Sequence, residues 1–124
     1  MRKNYIAGEW REAKQALPVA HPYDGEVFDE VPSAEPADAA RAIDAAVRGV
    51  AQLRAMGAHK RYLATLKAAE LLEERVEEFS QAITAENGKP LAEARAEASR
   101  SVDIIRLSAF EGAHLRGDQL PLEA

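Results

Sequence analysis

The chain has 124 residues, of which 16 are basic and 21 acidic, for a net charge of −5. That length suits one small domain with a modest core, and the acidic balance argues against a nucleic-acid-binding face. There is no cysteine, which excludes disulfides, thiolate metal sites and a cysteine nucleophile from this stretch. No segment approaches the roughly 20 apolar residues of a membrane span, and Met1–Tyr5 leads into mixed polar sequence without the apolar run of a signal peptide. A soluble, cytoplasmic protein is expected.

Residues 1–32 hold the aromatics Tyr5, Trp10, Tyr23 and Phe28 and three of the six prolines. Tyr5–Trp10 reads as strand with a glycine turn. Asp24-Gly25 is a tight-turn signal. Val27–Val31 is β-branched and apolar enough for a short strand, which Pro32 is expected to end. An antiparallel arm of short strands follows from this pattern.

From residue 36 the sequence becomes alanine-rich and charged. Pro36 suits the first helical position, where its missing N–H costs nothing, and Asp38 favours the positive end of that helix. Ala39, Ile43, Ala46, Val47, Val50 and Leu53 recur every three or four residues and so share one face. Gly57 is expected to close this helix. A second helix is predicted from about His59 to Glu86, striped by Leu66, Ala69, Leu72, Val76, Phe79 and Ile83. Glu73, Glu74, Glu77 and Glu78 lie opposite as a solvated face. A third helix opens at Pro90, with Leu91, Ala94, Ala98, Val102, Ile105 and Ala109 as its stripe, and ends near Gly112 or Gly117. The tail Gln119–Ala124 is apolar enough to continue into further structure.

Side-chain chemistry is sparse. His21, His59 and His114 lie far apart with no second ligand at metal spacing, so surface or loop roles are expected. The serines show no nucleophile-elbow spacing. Gly88-Lys89 lacks the first glycine of a phosphate loop, and Pro90 replaces its Ser or Thr. The better reading of Glu86–Pro90 is a joint between helices: Gly88 as a left-handed C-cap, Pro90 as the start of the next helix, and Lys89 as a cation near the negative helix end. Glu86 is out of place, since a carboxylate in a last helical turn faces that negative end. Lys89, the N-terminus of the next helix or a bound cation could compensate it.

Taken together, Tyr5–Trp10, the turn at Pro22 with Gly25-Glu26, the alanine-rich helix and the Glu86–Pro90 joint resemble the N-terminal part of the NAD(P)-dependent aldehyde dehydrogenase superfamily. Its opening strands often read Tyr-Ile-Asn-Gly-Glu-Trp, its turn carries asparagine where this chain has His21, and an acid-x-Gly-Lys-Pro joint separates two long helices. The resemblance implies an α/β fold. Residues 1–32 would be a β arm, and residues 33–124 would be three amphipathic helices belonging to a Rossmann-like cofactor domain. It also implies oxidation of a small aldehyde with NAD or NADP in a cytoplasmic homo-oligomer, dimer or tetramer. In that reaction a cysteine thiolate attacks the carbonyl, hydride passes to the nicotinamide, and a glutamate-activated water hydrolyses the thioester. None of those groups lies in this sequence, so no catalytic or nucleotide-binding residue is assigned, and the 124 residues alone are expected to be inactive. One site follows from the resemblance: a structural Na+ or K+ held by the Glu86 carboxylate and the backbone carbonyls of Val19 and Ala20, the oxygen donors that hard cations prefer. The competing reading is a stand-alone, non-catalytic helical interaction module.

Overall fold

A computed structural model describes residues 2–118; the expectation for Gln119–Ala124 lies outside the described residues. The elements run β1 (Asn4–Ile6), β2 (Glu9–Arg11), β3 (Gln15–Ala20), β4 (Val27–Ser33), α1 (Pro36–Ala55), α2 (Ala58–Glu73), α3 (Val76–Asn87) and α4 (Leu91–Ala113). This is an α/β chain with its strands first and its helices after.

The strands form two separate antiparallel ribbons, β1 with β2 and β3 with β4. The first is a tight hairpin in which Tyr5 stands opposite Trp10, their rings 5.0 Å apart. Its two turn residues both have positive φ, Ala7 at 56° and Gly8 at 88°. Such a turn matches the right-handed twist of its strands and favours Asn-Gly. The second ribbon contains a strand that the sequence reading missed, β3, and a β4 that runs through Pro32 instead of ending there. Both outcomes have one cause. Pro18 faces Glu30 and Pro32 faces Ala16, two register steps apart. Both prolines therefore occupy the same kind of pair in the alternating ladder. Each strand of an isolated ribbon has an open edge, where a missing N–H breaks no ladder bond.

Helix α1 starts at Pro36, as expected, with the Glu35 N–H donating to Asp38 Oδ2 at 3.1 Å. At its other end Arg61 reaches back from α2, its Nη1 donating to the carbonyls of Leu53 and Met56, so a side chain satisfies carbonyls that the helix leaves open. None of its residues is buried. Its predicted stripe lies outside the core, with Ile43, Val47, Val50 and Leu53 exposed by 64%, 67%, 45% and 55%. Ile6, 7% exposed, anchors the hairpin β1–β2 against this helix.

The long helix expected over 59–86 is two helices. The backbone leaves the helical ladder at Glu74 and Arg75: the Arg75 N–H bonds to Leu72 O, a tightened final turn, and Arg75 itself takes φ −118° and ψ 16°. No glycine or proline marks this break. Before it Ala69 is buried; after it Ser80 is buried and Phe79 turns out to solvent, with the Arg75 guanidinium 5.2 Å from its ring centre. Each half-helix can then lay its own face on α4. Four-residue steps place Ala94, Ala98 and Val102 on one face of α4, and Ala109 continues it; all four are buried, as their spacing predicts. With Ala69 and Ser80 opposite, the core of this three-helix unit is built from small side chains, which lets the helix axes approach closely.

Charge reinforces that packing. Arg106 of α4 grips Glu73 with both nitrogens at 3.1 and 2.6 Å, and Arg95 grips Glu77 at 2.8 Å twice. The two clamps flank the break. The glutamate face is thus solvated but not free: Glu78 is also held, by Arg75.

Candidate functional site at the helix joint

Helix α3 ends at Asn87 and Gly88 takes φ 75°, the left-handed conformation expected of a C-cap glycine. Its N–H donates to Thr84 O at 2.9 Å. Pro90 then caps α4, whose first turn is closed by the N–H groups of Glu93 and Ala94 donating to Pro90 O. Lys89 does not compensate Glu86. Its ammonium pairs with Glu97, one helical face further along α4, and this holds the Glu97 carboxyl below its ordinary range. Glu86 is exposed and has no ion pair among the described residues.

The ribbon β3–β4 docks on this joint. His21 immediately follows β3, and its Nδ1 donates to the carbonyl of Ala85 at 3.0 Å. That carbonyl lies in the last turn of α3, where the helix supplies no partner. The imidazole stacks on Phe28, ring centres 4.1 Å apart and planes within 12°. Pro22 covers Gly88: a Cβ at position 88 would lie 3.5 Å from the proline ring. His21 is a loop histidine, as expected, and it also docks the ribbon on the joint. Only a view of both segments reveals this, since they are 64 residues apart.

The docking leaves a cleft of about 440 Å³ lined by His21, Tyr23, Thr84, Ala85, Gly88 and Leu91, among others. The Thr84 hydroxyl is buried without a hydrogen-bond partner. Of the three residues assigned to a cation, Val19 and Ala20 form the end of β3 and Glu86 lies in the last turn of α3. The His21–Ala85 bond joins the residue after Ala20 to the residue before Glu86. The two segments are therefore adjacent. Among the described residues, no three or more His, Asp or Glu side chains gather as a metal-binding group, so side chains alone would not hold a transition metal. His59 and His114 are elsewhere; His114 donates to Phe110 O at 2.7 Å within its own helix. Among the described residues no helix is long and apolar enough to cross a membrane.

Residues 10–124 match the model of the aldehyde dehydrogenase family, and the chain belongs to that family. It is 36% identical over 119 residues to glutarate-semialdehyde dehydrogenase of Pseudomonas putida, covering 94% of this chain and 25% of that one. It is 35% identical to a succinate-semialdehyde dehydrogenase of Escherichia coli named for NADP(+), covering 94% and 24%. Among solved structures, aldehyde dehydrogenase 21 of Physcomitrella patens, in complex with the reaction product succinate, superposes with a TM-score of 0.92 at 33% identity. That superposition covers 98% of this chain and 26% of the other. The chain thus spans about a quarter of the length of the relatives it matches.

Proposed function

We propose that this chain is the N-terminal part of an enzyme that oxidises an aldehyde to a carboxylic acid with NAD or NADP, the reacting residues lying beyond residue 124. One observation carries this reading: the family match covers residues 10–124, and so takes in the second ribbon, the helices and the joint. The absence of cysteine agrees with it, because the thiolate that attacks the aldehyde must come from elsewhere. No glycine-rich strand-to-helix turn occurs here, so no residue of this chain is assigned to the dinucleotide, whose part is to accept the hydride. The substrate we favour is a short semialdehyde carrying a carboxylate at its far end. The relatives named for glutarate and succinate semialdehydes support that class.

In this reading residues 1–32 form the arm, and residues 33–124 form the helical part of the cofactor-domain region. The uncovered face of α1 favours it over the stand-alone module, since an autonomous three- or four-helix module would hide Ile43 and Val47 in its own core. The whole protein is a cytoplasmic homo-oligomer. Glu86, with the carbonyls of Val19 and Ala20, holds a structural Na+ or K+ at the joint, and that ion answers the carboxylate at the negative helix end.

The test is the intact mass of the protein as its source makes it, followed by turnover of succinate and glutarate semialdehydes with NAD+ and NADP+. A mass several-fold above 13.5 kDa with reduction of either nucleotide is the expected result. A product that ends at Ala124, or a longer one inert towards aldehydes, overturns the proposal. Replacing K+ and Na+ by a bulky organic cation should lower the melting temperature of the native protein but not of Glu86→Gln; equal sensitivity in both removes the cation from the proposal.

A further inference from the structure

We propose that Asn87 is a site of spontaneous deamidation, gated by the docking of ribbon β3–β4 on the α3–α4 joint. The chain has two asparagines, Asn4 followed by Tyr5 and Asn87 followed by Gly88. Asn87 is exposed and is the last residue of α3. Its side-chain amide carbon is the electrophile and the backbone nitrogen of Gly88 is the nucleophile. Glycine has no Cβ to obstruct that attack, whereas Tyr5 has.

The step is redox-neutral and needs only water. The Gly88 nitrogen bonds to Asn87 Cγ, the Cγ–Nδ2 bond breaks, and the displaced NH₂ leaves as ammonia carrying the former Gly88 amide proton. A five-membered imide results. Water adds to one of its two carbonyls and opens it, giving aspartate or, with the backbone rerouted through the side chain, isoaspartate.

The structure holds the nucleophile back. The Gly88 N–H is committed to Thr84 O at 2.9 Å, in a glycine fixed at φ 75°. Pro22 sits over the same residue, and His21 pins the preceding turn through Ala85 O at 3.0 Å. Attack requires the Gly88 N–H to leave Thr84 and the backbone at 87–88 to rotate, which the docked ribbon opposes. The native rate is then the rate of the free peptide multiplied by the fraction of time the joint is open. The products favour further opening. Aspartate adds a second negative charge beside Glu86 at the negative end of α3. Isoaspartate lengthens the main chain by one atom within the turn that the Gly88–Thr84 bond closes. The joint therefore ages in one direction.

The experiment holds the whole protein, as its source makes it, at neutral pH and body temperature, then maps peptides by mass over time. Asn87 is expected to gain the mass of amide-to-carboxylate conversion and to yield isoaspartate, with the Asn4 peptide unchanged. The native protein should react about tenfold or more slowly than the same protein in denaturant, the ratio expected of a closed local structure. His21→Ala should accelerate the native reaction, and His21→Asn, which restores a donor to Ala85 O, should return it towards the parent rate. Pro22→Ala serves in place of His21→Ala if that variant does not fold. No conversion at Asn87 in native protein while the denatured sample converts completely overturns the site. Equal native and denatured rates, or docking variants that fold and react at the parent rate, overturn the gate.

Discussion

The Nδ1 of His21 donates to the carbonyl of Ala85 at 3.0 Å, and this one bond ties the end of β3 to the last turn of α3. It supplies a partner to a carbonyl that the helix cannot satisfy. Replacing His21 by Ala leaves that carbonyl open beneath the ribbon and removes the stack on Phe28. The expected cost is about 1–2 kcal/mol, read as a fall in the denaturation midpoint. His21→Asn keeps a donor and should recover about half of that loss or more. Equal losses in both variants would mean that ring stacking, not the hydrogen bond, holds the ribbon.

Ala7 at φ 56° is the one strained non-glycine residue of the described backbone. An L-residue with a Cβ pays about 1 kcal/mol or more to sit there. Asparagine tolerates that region because its short polar side chain bonds locally. Ala7→Asn should therefore stabilise the protein by about 0.5–1 kcal/mol without touching the core. Chemical denaturation measures the change; an unchanged or lower midpoint would show that the turn relaxes the strain in some other way.

Ala94 is fully buried, in the α4 stripe that faces α2 and α3. The interface around it is built from alanines, Val102 and Ser80, and Ala94 is fully enclosed, so a leucine there has no free space. Ala94→Leu is expected to destabilise by about 1–3 kcal/mol through overpacking, or to push α4 outward. By contrast Ser80→Ala should be nearly neutral: the hydroxyl bonds to Val76 O of its own helix at 2.6 Å, so little else depends on it. Thermal melts of the two variants decide this, and a larger loss in Ser80→Ala would refute the account.

Some elements could be read from the sequence and others could not, for identifiable reasons. Gly88 was legible because only a left-handed position asks for glycine between two apolar stripes. The stripe of α4 was legible because Ala94, Ala98 and Val102 repeat every four residues. Strand β3 was not, since Pro18 argues against a strand wherever the pairing partner is unknown. The break at Glu74 and Arg75 was not, because no glycine or proline marks it. The pairing of Lys89 with Glu97 lost to sequence proximity in the reading, which placed the lysine near Glu86. The joint itself was foreseen as a turn between helices, while the ribbon docked on it depended on His21, 64 residues away from its partner.

The clamps across the helix break set an acid limit on the fold. The Arg95 guanidinium, bonded through two nitrogens and assisted by Gln81, lowers the Glu77 carboxyl from an ordinary 4.5 to about 2. Arg106 lowers Glu73 in the same direction. A carboxyl with a depressed folded pKa binds its proton more readily in the unfolded chain. Its contribution to stability is therefore complete above about 4.5 and is lost as the pH falls from there towards about 2. Both side chains of the Arg95–Glu77 pair are about half exposed, so salt should screen the effect. Melting temperature should fall as the pH drops below about 4.5, and Arg95→Gln should flatten that fall, its deficit against the parent being full at neutral pH and shrinking as the pH nears about 2. Glu77→Gln should flatten it likewise, because it removes the titrating group itself. The double variant should lose little more than either single one, as expected for partners in one interaction. If the pH profile of Arg95→Gln runs parallel to that of the parent, the clamp between α3 and α4 is not what acid unlocks.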